Sequence, residues 1–556
     1  MALGAVLAAA QQPASMPRQP DRATAGDPSG AGSHLTDNQT RQLDSLVDEL
    51  MQFSSQETGL PIRNRVKRQI VSRATVEKYL RQKIKDDQTA RRMQHDEIVL
   101  KKFGLLDRDF FLRPFLLALL DEQIEAYYDA RTRTVYLLDW ISPEEQKPVL
   151  AHELTHALQD QHSDLLKWSH QTPDDVSLDS ASDTSHLTKD EMDTARQAVI
   201  EGQATAVMVD YMLKPFGKTL VKNPELIGPI EQQMAIPENS PVMARAPLLL
   251  SESLLFPYRE GLGFEQSVWV DQGRSAAFAG TLDRPPTSSW EILNPRAYET
   301  RQTPPVPLLP NIHPLVDKLY QPYDIGQVGQ LDVRIMTELF GGDQAARDLT
   351  PAWDGGLYWA GQLRSATAGA PGKAASDSPG WRAGAPGKAA SSLPGWKTAD
   401  KQADTASIAL FYLSVWKNSA SAQAFARLYA NELNQKYSGV KLEQTGQLPG
   451  SASFLSAGQI SAEQVYSTSE GPVVLTIRGR MLFVAESFPL ELARKLAALV
   501  LDAQGSGAMQ MAETAPPGVT TPDSGPWQPL TGDLVRFFSD CGVMKAAVDA
   551  GFQAGR

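Results

Sequence analysis

Cysteine is nearly missing from this chain. Cys541 stands alone among 556 residues, so no intrachain disulfide can form. That suits the cytoplasm and equally a bacterial extracytoplasmic compartment, so cysteine usage does not decide between them. Long apolar runs are missing as well. The best stretch, residues 110–120, is interrupted by Arg113 and falls short of the ~20 apolar residues that a spanning helix needs. No membrane span is therefore expected. The third absence is an excess of basic charge. Lys and Arg number 53 against 65 Asp and Glu, a net charge of −12. General nucleic-acid binding needs a basic surface to neutralise phosphates, so no nucleic-acid partner is expected. One basic stretch exists at residues 63–102, with Arg63, Arg65, Lys67, Arg68, Arg91, Arg92, Lys101 and Lys102. It is interspersed with Glu77, Asp86, Asp87, Asp96 and Glu97, and reads as a solvated helical face.

What is present is enough apolar material, 42% of residues, to fill sizeable cores, on a chain long enough for two or three domains. Residues 1–34 read as an apolar start and a Pro/Gly/Ala/Ser-rich leader. The start, MALGAVLAAA, ends in an A-x-A-like site but lacks the basic residues of a secretory signal. Export is the expectation, to a periplasmic or secreted location. Residues 35–315 read as one domain. Its apolar positions Leu43, Leu46, Val47, Leu50 and Met51 repeat at helical spacing, and more helical texture covers 75–106 and 110–122. The period then changes to that of a β-hairpin over 124–129 and 132–139. Ser142, Pro143, Glu144 and Glu145 open a helix with acids in its first turn. The Ser/Asp-rich stretch 163–189, with Asp174, Asp175, Asp179 and Asp183, reads as a surface loop, and a second helix is expected over 190–214.

Proline-rich connections at 285–286 and 303–314 place a boundary near 315. Residues 316–556 then form a second domain, of α+β type. A 15-residue Gly/Pro/Ala/Ser unit is duplicated in tandem at 368–397 and reads as a flexible insertion. After it, a strand at 408–416, a helix at 420–437, strands near 465–467 and 473–487 and a helix at 490–503 are expected.

The chemistry is concentrated at His152-Glu153-Leu154-Thr155-His156, an H-E-x-x-H on the first of those two helices. Positions i and i+4 share one helix face, so both imidazoles can reach one zinc, with Glu153 beside them to take a proton from water. A hydrolytic zinc site wants three protein ligands. His162 is one candidate for the third. However, Gln159 stands where a sharp turn would require glycine, and the helix reads as uninterrupted there. Glu201 is the better candidate. It is a lone acid in an uncharged helix, followed by small residues, and would be costly to bury without a partner. His170, His186 and His313 read as ordinary surface residues.

With HELTHALQD at 152–160 and Glu201-Gly202, the sequence resembles the gluzincins, the thermolysin-like zinc peptidases, and in particular an uncharacterised bacterial branch of them. Two further segments carry the likeness, FPYREG at 256–261 and PPTSSWEILNP at 285–295, so it covers about residues 123–298. The resemblance implies a zincin-like α+β fold: a small twisted sheet on the active-site helix, and a helical lobe carrying Glu201. It implies Zn2+ on His152, His156 and Glu201, Glu153 as general base, and cleavage of a peptide or protein substrate by metal-activated water. Tyr258 and Arg259 become candidate oxyanion or substrate contacts, against buried aromatic packing and a salt bridge. Two positions depart from the family pattern. Asn294 precedes Pro295 where relatives have histidine, and Thr205 stands where an aspartate would orient a ligand. The rival reading is a zincin fold that holds metal as a structural or binding module without peptidase activity.

Overall fold

The computed structural model describes residues 36–85, 87–123, 127–169, 179–234, 240–364, 405–446 and 461–504. The expected leader at 1–34, the duplicated unit at 368–397, and His170, Asp174, Asp175 and Cys541 lie outside the described residues. Among those described, no helix is long and apolar enough to cross a membrane.

Helix α1 (Asp37–Thr58) buries the stripe Leu46, Val47, Leu50 and Met51, as the spacing requires. The next element corrects the sequence reading. Lys67–Val71, within the stretch read as a helical face, is a strand, β1. Its reason lies elsewhere in the chain. The hairpin forms as β2 (Tyr127–Asp129) and β3 (Thr134–Leu138), but β3 is buried along most of its length and needs a neighbour on each side. β1 supplies the second, running parallel to β3 with Val71 opposite Leu138. The small sheet has the order β1-β3-β2, so among the described residues β2 is an open edge.

Helix α2 (Pro143–Ser163) starts with proline at its first position, where no amide hydrogen is needed. It buries Leu150, Ala151, Leu154, Ala157 and Leu158, and Ser54 of α1 donates to the Ala151 carbonyl at 3.0 Å. The expected loop at 163–189 is in part helical. Asp179 caps helix α3 (Ser180–Lys189) by accepting from the amides of Ala181 and Ser182. Helix α4 (Met192–Leu213) is buried almost all round. It meets α5 (Leu248–Gln272) with backbones in contact: a Cβ on Gly202 would lie 2.3 Å from the Gly261 carbonyl group, and one on Gly261 2.1 Å from the Ala198 oxygen.

Among the described residues, the second sheet has seven strands. They are β4 (Tyr320–Gln327), β5 (Trp353–Leu363), β6 (Ile408–Trp416), β7 (Lys441–Gly446), β8 (Ser461–Thr468), β9 (Gly471–Arg478) and β10 (Met481–Glu486). The order is β4-β5-β6-β10-β9-β8-β7, with every neighbouring pair antiparallel. β4, β5 and β7 go beyond the expected set, and the single strand expected over 473–487 is a hairpin of two, β9 and β10. Helix α6 (Gln330–Leu349) connects β4 to β5 and kinks at Gly342. Alternation along the strands sorts the two faces. Tyr358, Leu410, Tyr412 and Val484 share a cluster with Phe425 and Tyr429 of α7 (Ser419–Lys436). Trp359, Phe411, Leu413 and Phe483 pack with Leu496 and Val500 of α8 (Leu490–Ala503). The first cluster also holds Leu46, Leu154 and Phe256, so buried residues from both sides of residue 315 join in it. The architecture is α+β.

Candidate metal centre

On α2, His152 and His156 stand one turn apart with ring centroids 4.6 Å from each other. Ligand atoms of His152, Glu153 and His156 gather within 4.8 Å. α4 brings the fourth group. Glu201 Oε2 lies 3.1 Å from His152 Nε2 and 3.4 Å from His156 Nε2. The next residue, Gly202, seats α4 directly on α5. All four side chains are buried, His152 fully and His156 at 9% exposure.

Electrostatics set the four apart. Burial would raise the Glu201 carboxyl, but His156 and His152 outweigh it and hold it at about 2. Burial pulls His156 down, while Glu201 and Glu153 pull harder and lift it to about 9. His152 is lowered to about 4 by burial, with His156 adding to the effect. Burial lifts Glu153 to about 7 against the opposing pull of His156. The Tyr128 amide on β2 donates to Glu153, so the open edge of the small sheet lies against this carboxyl. Glu153 Oε1 has no hydrogen-bond partner among the described residues. A buried carboxyl oxygen left this way is an acceptor waiting for a donor. The hydroxyl of the same Tyr128 donates to Asp160 at 3.0 Å, beside a cavity of about 420 Å³.

The other sequence candidates fall in different places. Tyr258 is buried, its ring stacked near that of His152 with centroids 6.1 Å apart. Arg259 is engaged by Glu252 at 2.6 Å and Glu260 at 3.1 Å, and Arg334 of α6 pairs with the same two acids. That network ties α5 to α6. His162 continues the unbroken α2 and meets Asp283 at 2.9 Å. Asn294 donates to the Trp290 carbonyl and to Gln330, both at 2.7 Å. Thr205 is buried, and its hydroxyl and His152 Nδ1 are both without a partner among the described residues. His186 and His313 are buried rather than on the surface. His186 faces Asp190, and His313 faces Asp183 and Asp317. Sequence reasoning passed over Gln159. It was weighed only as a missing glycine, yet its Oε1 lies 2.9 Å from His156 Nδ1. The available signal was an uncharged amide one turn beyond His156, on a helix that buries its whole middle.

Two imidazole nitrogens, one carboxylate oxygen and a second carboxyl at one point are a donor set able to hold a divalent cation and move a proton beside it. Set against protein-family models, curated proteins and solved structures, the chain finds no match.

Proposed function

We propose that the protein is a zinc-dependent hydrolase, a metallopeptidase, in which His152, His156 and Glu201 hold the metal and Glu153 is the general base. The observation that carries this reading is the convergence of Glu201 Oε2 on both histidine Nε2 atoms, at 3.1 and 3.4 Å. Ligands ~2.0–2.1 Å from a tetrahedral zinc sit about 3.3 Å from one another, so these atoms already have the spacing such an ion imposes. Zinc at that point would act as a Lewis acid on the scissile carbonyl and make a nucleophile available at neutral pH.

The protein's own groups do the rest. Glu153 Oε1, unpartnered and lifted to about 7, takes a proton from the attacking water and passes it to the leaving amine. The Tyr128 amide orients Glu153. Beyond the Tyr128 amide, the remaining main-chain groups on the edge of β2 would offer hydrogen bonds to an extended peptide. Tyr258 walls the site beside His152. In this reading the small sheet, α2 and α4 make a zincin-like unit.

One observation favours the rival reading of a metal-holding module without hydrolysis. The donor side chains are nearly sealed from solvent, with His152, Glu153 and Glu201 at 0%, 1% and 3% exposure. A single experiment separates the two. Zinc-loaded wild type and Glu153→Gln are compared on a peptide library, with metal measured in both. The peptidase reading expects cleavage by wild type and a loss of about 10²–10⁴-fold in the variant, with zinc retained. No cleavage by zinc-loaded wild type favours the binding module.

A further inference from the structure

We propose that Gln159 and Gln203 are positioning residues that fix which nitrogen of His156 faces the metal point, through a relay anchored on the turn Ala276–Gly280. The role given to the relay rests on the metal reading above; its geometry does not.

Residues Ala276–Gly280 form a π-helical turn, an irregularity that often marks a functional position. Gln203 Nε2 lies 3.1 Å from the Ala277 carbonyl, 3.0 Å from the Phe278 carbonyl and 2.8 Å from the Thr281 hydroxyl. A carbonyl can only accept, so the NH2 end of Gln203 must face this turn, and its oxygen must face the other way. That oxygen is 2.9 Å from Gln159 Nε2, which also donates to the Ile200 carbonyl at 2.9 Å. Two acceptors therefore orient the Gln159 amide in the same manner. Its Oε1 is left facing His156 Nδ1 at 2.9 Å. An amide oxygen has no hydrogen to give, so Nδ1 must carry one. Nε2 is then the nitrogen presented to Glu201 and to a cation.

Every member is fully buried: Gln159, Gln203 and Thr281 are at 0% exposure, as is Glu265, whose carboxyl meets the Thr281 hydroxyl at 3.0 Å. A buried polar chain of this length is costly unless each member is satisfied and oriented. The two amides are satisfied, and the chain ends on a metal-point histidine rather than on backbone. His152 has no such support at its Nδ1 among the described residues, so the relay sets the two histidines apart.

The test uses the full chain, with zinc alone as the probe, in wild type, Gln203→Met, Gln159→Leu and the double variant. Nitrogen-15 NMR of the His156 ring reports which nitrogen is protonated, and chelator competition gives the zinc Kd. Wild type is expected to carry hydrogen at Nδ1. Gln203→Met is expected to lose the single protonation pattern and bind zinc 10–100-fold more weakly. The double variant should bind no more weakly than Gln159→Leu, because both changes cut one chain. An unaltered ring spectrum with a zinc Kd within twofold of wild type in Gln203→Met would overturn the proposal. The wild-type spectrum alone can do so too, if Nδ1 is bare and Nε2 protonated, whether or not a variant folds. If wild type takes up no zinc, the metal reading fails, while the metal-free ring spectrum, recorded at a pH where the ring is neutral, still decides the relay.

Discussion

Among the described residues, two buried sets of histidines and acids stand out. In the first, His152 and His156 share one carboxylate, Glu201, and a second acid, Glu153, stands beside them. In the second, each histidine has its own acid: His186 faces Asp190 at 3.4 Å, and His313 faces Asp183 at 3.0 Å and Asp317 at 3.1 Å. The second set also spends its atoms on backbone. Asp190 accepts from the Gln327 amide, and Gln327 donates to the Leu187 carbonyl, which fastens α3 to β4. Burial, histidine and carboxylate are common to both. Convergence on one point separates them, because paired donors and acceptors consume the lone pairs that a cation would need. The second set fastens elements of the fold to one another, and the first is the set to which the metal is proposed to bind.

That distinction can be broken at several points. The largest effect is expected from Gly202→Ala. Its new Cβ would meet the Gly261 backbone at 2.3 Å, so α4 must move and carry Glu201 away. Chemical denaturation should show a loss at the upper end of the ~1–3 kcal/mol typical of overpacking, together with lost zinc binding. Next is His313→Gln. Removing the partner of buried Asp183 should cost about 1–3 kcal/mol and leave zinc content unchanged. The smallest change is expected from Glu191→Gln at pH 5, where both side chains are neutral and stability should be close to wild type. Burial, with Asp332 and Asp190 nearby, lifts the Glu191 carboxyl from 4.5 to about 8. The folded state therefore holds a proton that the unfolded chain releases, and wild-type stability should fall relative to the variant as pH rises from about 5 to 8. Parallel melting curves for the two would contradict that assignment.

Much of the first set could be read from the chain and little of the second. H-E-x-x-H declares itself because the spacing of its ligands lies within one helix, and Glu201 because a lone acid among uncharged residues needs a partner. His186 and His313 look like surface residues because Asp190 and Asp317, four residues along, read as ordinary helical pairs, and Asp183 reaches His313 only from a distant element. β1 went unread because KRQIV carries two basic residues, and its pairing with β3 is a long-range parallel contact. β5 contains Gly355, Gly356 and Gly361, and β4 has a register shift at Pro322, so neither shows a clean alternation of two. Gln159 was missed because its role depends on Gln203 and on carbonyls more than 100 residues further along the chain.

Zinc per chain, measured by mass spectrometry after chelator-free purification and zinc addition, tests the central claim most directly. Wild type should carry one zinc, Glu201→Ala none, and His313→Gln one. Zinc retained by Glu201→Ala, zinc lost from His313→Gln, or no zinc in wild type would each contradict the assignment of function to the converging set.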